Sequence, residues 1–382
     1  MKTSDKPKGT AKYIAGDVPR FDQKNDMYKR LRWQPELREK GRQLFGLVSP
    51  TDREGHTLKD MAFKNAAWHI ETGFAHGNII HNSGMYAWDM PLTGVSRVPE
   101  GLKMDVVDPA KMSRDVKKVA KFLGASAVGI CRIDRRWVYS NAFHFATREP
   151  HELNLPEEYK FAIVMLFEMD YEIAKTSPTW VAEATEGKGY SMMAVTATMV
   201  AQFVRGLGYK AIPSGNDTSL NIPLAIDAGL GELGRSGLLI NPKYGPRLRI
   251  SEVLTDLPLA TDEPVDFGVT EYCEKCKKCA TYCPGQALMS GERTTEPNNI
   301  SNATGELKWP INAEKCFDFW ARNGGSCMNC IRVCAFNKSA NKLHNVVRWF
   351  IKHTPWLDPL LIKIDDWMGY GKQSRADKYW ED

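Results

Sequence analysis

EYCEKCKKCATYCPGQAL, residues 271–288, sets cysteines at 273, 276, 279 and 283 and puts Pro284 directly after the last. The spacing is C-x2-C-x2-C-x3-C-P. Thiolates in this order hold [4Fe–4S] clusters, three of them on one cluster and the fourth on a second. A further set lies in CFDFWARNGGSCMNCIRVCAF, with cysteines at 316, 327, 330 and 334. Its first gap is stretched to ten intervening residues, while C-x2-C-x3-C is kept. Sharing between the two runs predicts Cys273, Cys276, Cys279 and Cys334 around one cluster, and Cys316, Cys327, Cys330 and Cys283 around the other. Soft thiolates also suit zinc, but two four-cysteine zinc sites have no need of the x2-x2-x3-P pattern.

A ferredoxin-like pair of clusters needs far fewer than 382 residues, so the chain has material for two or three domains and a sizeable core. Hydrophobic content of 43% and aromatic content of 10% indicate a globular chain. The net charge of +5 rests on 51 basic and 46 acidic residues, too even a balance to argue for nucleic acid. No apolar run approaches the length of a membrane span. The first residues, MKTSDKPKGTAKYIAGDVPRF, show neither an apolar signal core nor a twin-arginine pair. The expected location is therefore the cytoplasm, or the outer face of the cytoplasmic membrane if this is a processed form. Eight of the nine cysteines fall between 273 and 334. Cys131, alone in AVGICRI, reads as a small core residue of a strand.

The fold class expected is α+β. Residues 1–110 read as an irregular wrapping segment. Residues 111–267 read as a core that alternates helices and strands around one sheet. The cysteine-rich segment covers 268–338, and a helical, aromatic tail packing back on the core covers 339–382. DPAKMSRDVKKVAKFLGA, 108–125, has Val116, Val119, Phe122 and Leu123 on one helical face, with Gly124 to close it. AVGICRI, FAIVMLFEM, SGLLINP and RISEVLTD have strand length and composition. YSMMAVTATMVAQFVRGLGY repeats Met192, Val195, Met199 and Phe203 at helical spacing, ending near Gly208. In the tail, Asp358, Asp365 and Asp366 interrupt the apolar face and argue against a membrane-surface helix.

AGLGELGRSGLLI places Gly229, Gly231 and Gly234 as G-x-G-x-x-G. A dinucleotide fingerprint needs a strand before it and a helix after it. Here the helical LNIPLAIDA precedes and a strand-like LLI follows, so NAD and FAD are not expected. The glycines are read instead as letting backbone approach another flat or bulky ligand closely.

Taken together, GKGYSMM, SGNDTS, GLGELGRSGLLI, KYGPRLRI with its following EVLTDL, and the stretched second cysteine motif resemble the reductive dehalogenases over about 111–340. The resemblance implies a nitroreductase-like core holding base-off cobalamin, with an inserted bacterial-ferredoxin-like segment carrying two [4Fe–4S] clusters. It implies Tyr190 as the catalytic tyrosine, with Asn216 and Arg249 beside it and Trp320 lining the substrate pocket. Gly229, Gly231, Gly234 and Arg235 are expected to contact the corrinoid. The activity implied is halide removal from a small organohalide by two electrons and one proton, drawn from a low-potential donor. Cysteine-ligated clusters reach the low potentials this needs, and a tyrosine with an ordinary pKa of about 10 is a usable acid, helped by an arginine that favours the phenolate. The partners expected are that donor, a membrane partner for peripheral association and a second copy of the chain. Tyr86 and Trp88 are candidate pocket walls. No D-x-H-x-x-G motif supplies a histidine to cobalt, and His144 reads as structural. An epoxyqueuosine reductase shares much of the pattern but has an acidic residue where Tyr190 stands, and a pure electron carrier would leave the core unexplained.

Overall fold

FAIVMLFE alternates between two buried faces, and this alternation organises the molecule. Ile163, Met165 and Phe167 belong to one core and Ala162, Val164 and Leu166 to the other, as successive side chains of a strand must when both faces are covered. The computed structural model describes residues 7–46, 48–76, 84–90, 97–99, 101–143, 148–339 and 342–381. His144 lies outside the described residues.

In chain order the elements are α1 (Met27–Trp33), α2 (Arg38–Phe45), α3 (Leu58–Ile70), α4 (Pro109–Phe122), β1 (Ala127–Arg132), β2 (Asn141–Phe143), β3 (Pro150–Glu152), β4 (Phe161–Glu168), α5 (Tyr171–Ala174), α6 (Trp180–Gly206), β5 (Ala211–Ser214), α7 (Asn221–Asp227), β6 (Glu232–Leu233), β7 (Leu239–Ile240), β8 (Leu248–Thr255), α8 (Val269–Lys275), α9 (Lys278–Thr281), α10 (Ala313–Asn323), α11 (Asn329–Arg332), α12 (Lys342–His353) and α13 (Asp358–Trp367). The main sheet is antiparallel, in the order β1-β4-β8-β5, with Phe167 opposite Arg249. Met193, Ala197, Val200 and Val204 of α6 cover one face, and Leu224, Ala225 and Ile226 of α7 cover the other with Tyr13 and Val18. Cys131 is buried in β1, opposite Ala162.

Three expectations are corrected. The long helix starts at Trp180, ten residues before Tyr190, where the Thr179 side chain accepts from the Ala182 N–H. That extension takes in Gly187 and Gly189, although helical glycine costs about 1 kcal/mol. Here they admit neighbours: a Cβ would lie 2.5 Å from the Trp68 ring at Gly187 and 2.9 Å from Arg249 Cγ at Gly189. SGLLINP contributes only Leu239–Ile240, paired with Glu232–Leu233 away from the main sheet. Gly237, in the left-handed region, and the Asn241 side chain, which accepts from the N–H groups of Lys243 and Tyr244, turn the chain on either side. The N-terminal segment is not irregular: it holds three helices, and α3 lies along α6, opening on a reciprocal Thr57–Asp60 cap.

α12 and α13 pack on the cysteine-rich segment, with Ile351, Val347, Leu361 and Ile362 against Phe267, Tyr272 and Phe336. Two of the three tail aspartates are buried. Asp358 takes Lys275 at 2.8 Å, while Asp365 takes Lys278 and, at 2.6 Å, Lys338. Among the described residues no helix is long and apolar enough to cross a membrane.

Candidate active site and metal centres

Tyr190 projects from the middle of α6 and is half-buried. Its ring stacks on Trp68 at 5.1 Å between centroids, and the Arg249 guanidinium stands 5.0 Å from the ring centre. The Asn216 side chain donates to the Tyr190 hydroxyl at 3.3 Å. Asn216 is itself oriented: Asn221 Nδ2 donates to its Oδ1 at 3.1 Å while also reaching the Gly215 and Ile250 carbonyls. Thus α6, the β5–α7 loop and β8 each contribute one of the three residues. Burial holds the Tyr190 hydroxyl above the ordinary tyrosine value; Arg249 pulls against that rise, Glu186 and Glu71 add to it, and the Asn216 hydrogen bond subtracts.

Arg249 points from the α6 face of β8 and pairs with the buried carboxylate of Glu186. Glu186 precedes Tyr190 by one helical turn. Its second oxygen accepts from Ser326 Oγ at 2.7 Å, and Ser326 directly precedes Cys327. A continuous set of contacts therefore runs from the cysteine-rich segment through Glu186 and Arg249 to Tyr190. Sequence reading missed Glu186, Ser326 and Trp68. The i, i+4 spacing of Glu186 and Tyr190 was the available signal, hidden because the helix was started too late.

Cys273, Cys276, Cys279 and Cys334 line one buried cavity together with Gly234, Arg235 and Ser236. Cys316, Cys327 and Cys330 lie within electrostatic reach of one another and of Cys283. Burial, with neighbouring thiolates adding to it, pushes the thiols of Cys279, Cys316 and Cys334 up to about 12. Among the described residues no three His, Cys, Asp or Glu side chains close into the shell of a single ion. Thiolates on one zinc would stand only about 3.8 Å apart.

The glycine-rich run is packed closely by the chain's own atoms. A Cβ at Gly231 would run into the Ile240 carbonyl, one at Gly229 into the Glu263 carbonyl, and one at Gly234 would lie 2.9 Å from the Ile240 side chain. Arg235 is buried and donates to the carbonyls of Cys273, Met289 and Gly291 at 2.8–2.9 Å, with Trp309 4.4 Å from its guanidinium. It clamps the first cysteine loop.

Trp320 sits on α10, stacked on Phe317 at 4.8 Å and edge-on to Tyr28 at 6.3 Å. Burial, then the charges of Tyr190 and Glu186, hold the Tyr28 hydroxyl well above the ordinary tyrosine value. Trp320 Nε1, Arg249 Nε and Trp68 Nε1 are buried without a hydrogen-bond partner among the described residues. Tyr86 is buried against Gly215, and Trp88 packs beside the α7-side core.

Residues 272–338 match the model of a 4Fe-4S dicluster domain. The tetrachloroethene reductive dehalogenase of Sulfurospirillum multivorans is 35% identical over 357 residues, covering 86% of this chain and 71% of that protein. The tetrachloroethene reductive dehalogenase of Dehalobacter restrictus is 38% identical over 337 residues, covering 78% of this chain and 61% of that one. A solved reductive dehalogenase, whose structure was taken to suggest a mechanism for B12-dependent dehalogenation, shares the fold: the TM-score is 0.73 at 24% identity, over 94% of this chain and 48% of that one. With identity at this level across most of both the present chain and the Sulfurospirillum protein, the chain belongs to the reductive dehalogenase family.

Proposed function

We propose that the chain removes halide from a small organohalide by two-electron, one-proton reduction at the cobalt of a base-off cobalamin held in a nitroreductase-like core and fed by two [4Fe–4S] clusters. The observation that carries this reading is the Tyr190 hydroxyl held by Asn216 beside a guanidinium that Glu186 ties to the cysteine-rich segment. The names of the relatives support it.

The donor sets fit the clusters. Buried thiols that hold their protons this firmly give them up to a strongly cationic partner. Cys273, Cys276, Cys279 and Cys334 would hold one cluster, with Gly234 and Arg235 in its wall, and Cys283, Cys316, Cys327 and Cys330 the other. The three buried donors without a partner fit a polar, bulky group near Tyr190, since native interiors leave few such atoms unsatisfied. When bound, the corrinoid supplies a metal that takes up two low-potential electrons. The chain does the rest. Tyr190 gives its hydroxyl proton to the carbon that loses halide. Arg249 and the Asn216 N–H then stabilise the phenolate. Glu186 keeps the guanidinium in place, and Trp320 forms part of the pocket wall.

The test is halide release from a panel of chlorinated alkanes, alkenes and aromatics, with reduced viologen as electron donor and iron and cobalt counted per chain. Two four-iron clusters and one cobalt are expected. Stoichiometric zinc, or iron for one cluster only, would refute the wiring. Cys279→Ala should cost one cluster's iron, whereas Cys131→Ala, a change within a buried strand, should leave iron content intact. Equal iron loss in the two variants would show the ligands to be misassigned.

A further inference from the structure

Each turnover of the proposed reaction, on which this inference rests, removes the hydroxyl proton of Tyr190, and that proton must be replaced before the next. Trp68, which stacks on Tyr190, lies in the last turn of α3. One turn later the helix widens into a π turn, Glu71–Ala75, a distortion frequent at functional sites. The Glu71 N–H donates to Ser191 Oγ at 3.3 Å, the side chain next to Tyr190 along α6. One carboxylate oxygen of Glu71 pairs with His76 Nε2 at 2.9 Å. The other, Oε2, is buried and has no partner among the described residues.

The Tyr86 hydroxyl is equally buried and equally without a partner. It covers Gly215, where a Cβ would meet it at 2.7 Å, and Gly215 directly precedes Asn216. The Tyr86 ring is 6.2 Å from that of His76. His76 keeps 56% of its side chain in water, while Glu71 keeps 8%. Among the described residues, two buried oxygens without partners thus lie near both an imidazole that reaches solvent and the surroundings of Tyr190. An unmet buried carboxylate oxygen costs stability, so its presence calls for a use.

We propose that His76 and Glu71 form the route by which Tyr190 regains its proton from water. Protonated His76 passes its Nε2 proton to the Glu71 carboxylate. The Glu71 carboxylic acid then turns about its Cγ–Cδ bond, so that the O–H received from His76 faces the pocket, and passes that proton to the Tyr190 phenolate through a bridging water held by the Tyr86 hydroxyl. His76 is reprotonated from solvent at the exposed edge of its ring. One proton moves inward, no electron is exchanged, and every carrier returns to its starting state. Burial disfavours the imidazolium, but the Glu71 pair, with Asp217 adding and Lys29 opposing, leaves His76 raised above the usual histidine range and so able to carry a proton near neutral pH.

The experiment separates the first turnover from the rest. Fully reduced, cobalamin- and cluster-loaded enzyme is mixed rapidly with an organohalide that the parent converts, and halide is followed. In Glu71→Gln the first equivalent per cobalt should appear at the parental rate, because Tyr190 already carries its proton. Later turnovers should slow by about 10²-fold. His76→Ala should show the same burst, and added imidazole should restore its steady state. In unloaded protein, the NMR titration midpoint of His76 should fall in Glu71→Gln. First and later turnovers slowed alike, steady-state rates equal to the parent's, or an unmoved His76 midpoint would overturn the route. A parent that binds both cofactors yet releases no halide, with the His76 midpoint still tied to Glu71, would instead overturn the reaction on which the route rests.

Discussion

Replacing Tyr190 by phenylalanine removes one hydroxyl and, with it, about 10²–10⁴-fold of the halide-release rate, the usual loss for a positioned general acid. The ring keeps its stack on Trp68 and its place beside Arg249, so folding, iron and bound corrinoid should match the parent. A packing role predicts the opposite: altered stability with turnover within about threefold of normal, normalised to cobalt. The pH profile adds a sign. As the proposed proton donor, Tyr190 would act in its acid form, and burial raises its pKa above the ordinary 10.0. In the first turnover, which draws only on this proton, activity should persist through neutral pH and fall as pH rises through that raised value. The phenylalanine variant should lack this alkaline limb. Arg249→Lys should also impair turnover, because an ammonium keeps the charge but not the planar fork that Glu186 grips.

Asp365→Ala should lower stability by about 3–5 kcal/mol, the scale for removing one partner of a buried ion pair. Asp365 receives Lys278 and Lys338, and all three are buried. Asp366, half-exposed, reaches only Lys278. The alanine variant therefore leaves Lys338 without its carboxylate, close to Cys334. Its anaerobic denaturation midpoint should drop, and the cluster on Cys273, Cys276, Cys279 and Cys334 should be lost on gentle dilution. Adding Lys338→Met should recover part of the loss, since an apolar side chain needs no carboxylate. An unchanged midpoint would mean that water reaches these lysines and that the tail is only a surface feature.

The cysteine pairing was drawn from ligand spacing, a local property of the chain, and Cys273, Cys276, Cys279 and Cys334 line one cavity. The strands of the main sheet were readable from short, β-branched apolar runs such as AVGICRI and FAIVMLFEM. The same criterion overextended SGLLINP, where an apolar run is set off by turns rather than continued in a sheet. Tyr190, Asn216 and Arg249 came from motif likeness; no periodicity brings residues 26 and 59 positions away from Tyr190 to its ring. Glu186 was within reach of sequence reasoning, one helical turn before Tyr190, but the helix had been read only from Tyr190 onward; the side chains that pack at Gly187 and Gly189, Trp68 and Arg249, come from distant parts of the chain. For GLGELGRSG the demand for close approach was legible, and at Gly231 it includes the Ile240 carbonyl, which glycine spacing alone does not name.

The position of Asp365 in the tail also sets an order of events at the ribosome. Lys338 and Asp365 are separated by 27 positions, and translation at ordinary rates takes about 1–5 s to cover them. During that interval all eight cysteines between 273 and 334 have been made, but the carboxylate that neutralises Lys278 and Lys338 has not. Burying two lysines without it is unfavourable, so the nascent segment stays open and its thiols stay within reach of an iron–sulfur donor. The tail closes that window once it is synthesised. Early release of the chain before residue 365 would leave a cysteine-rich segment that never shuts.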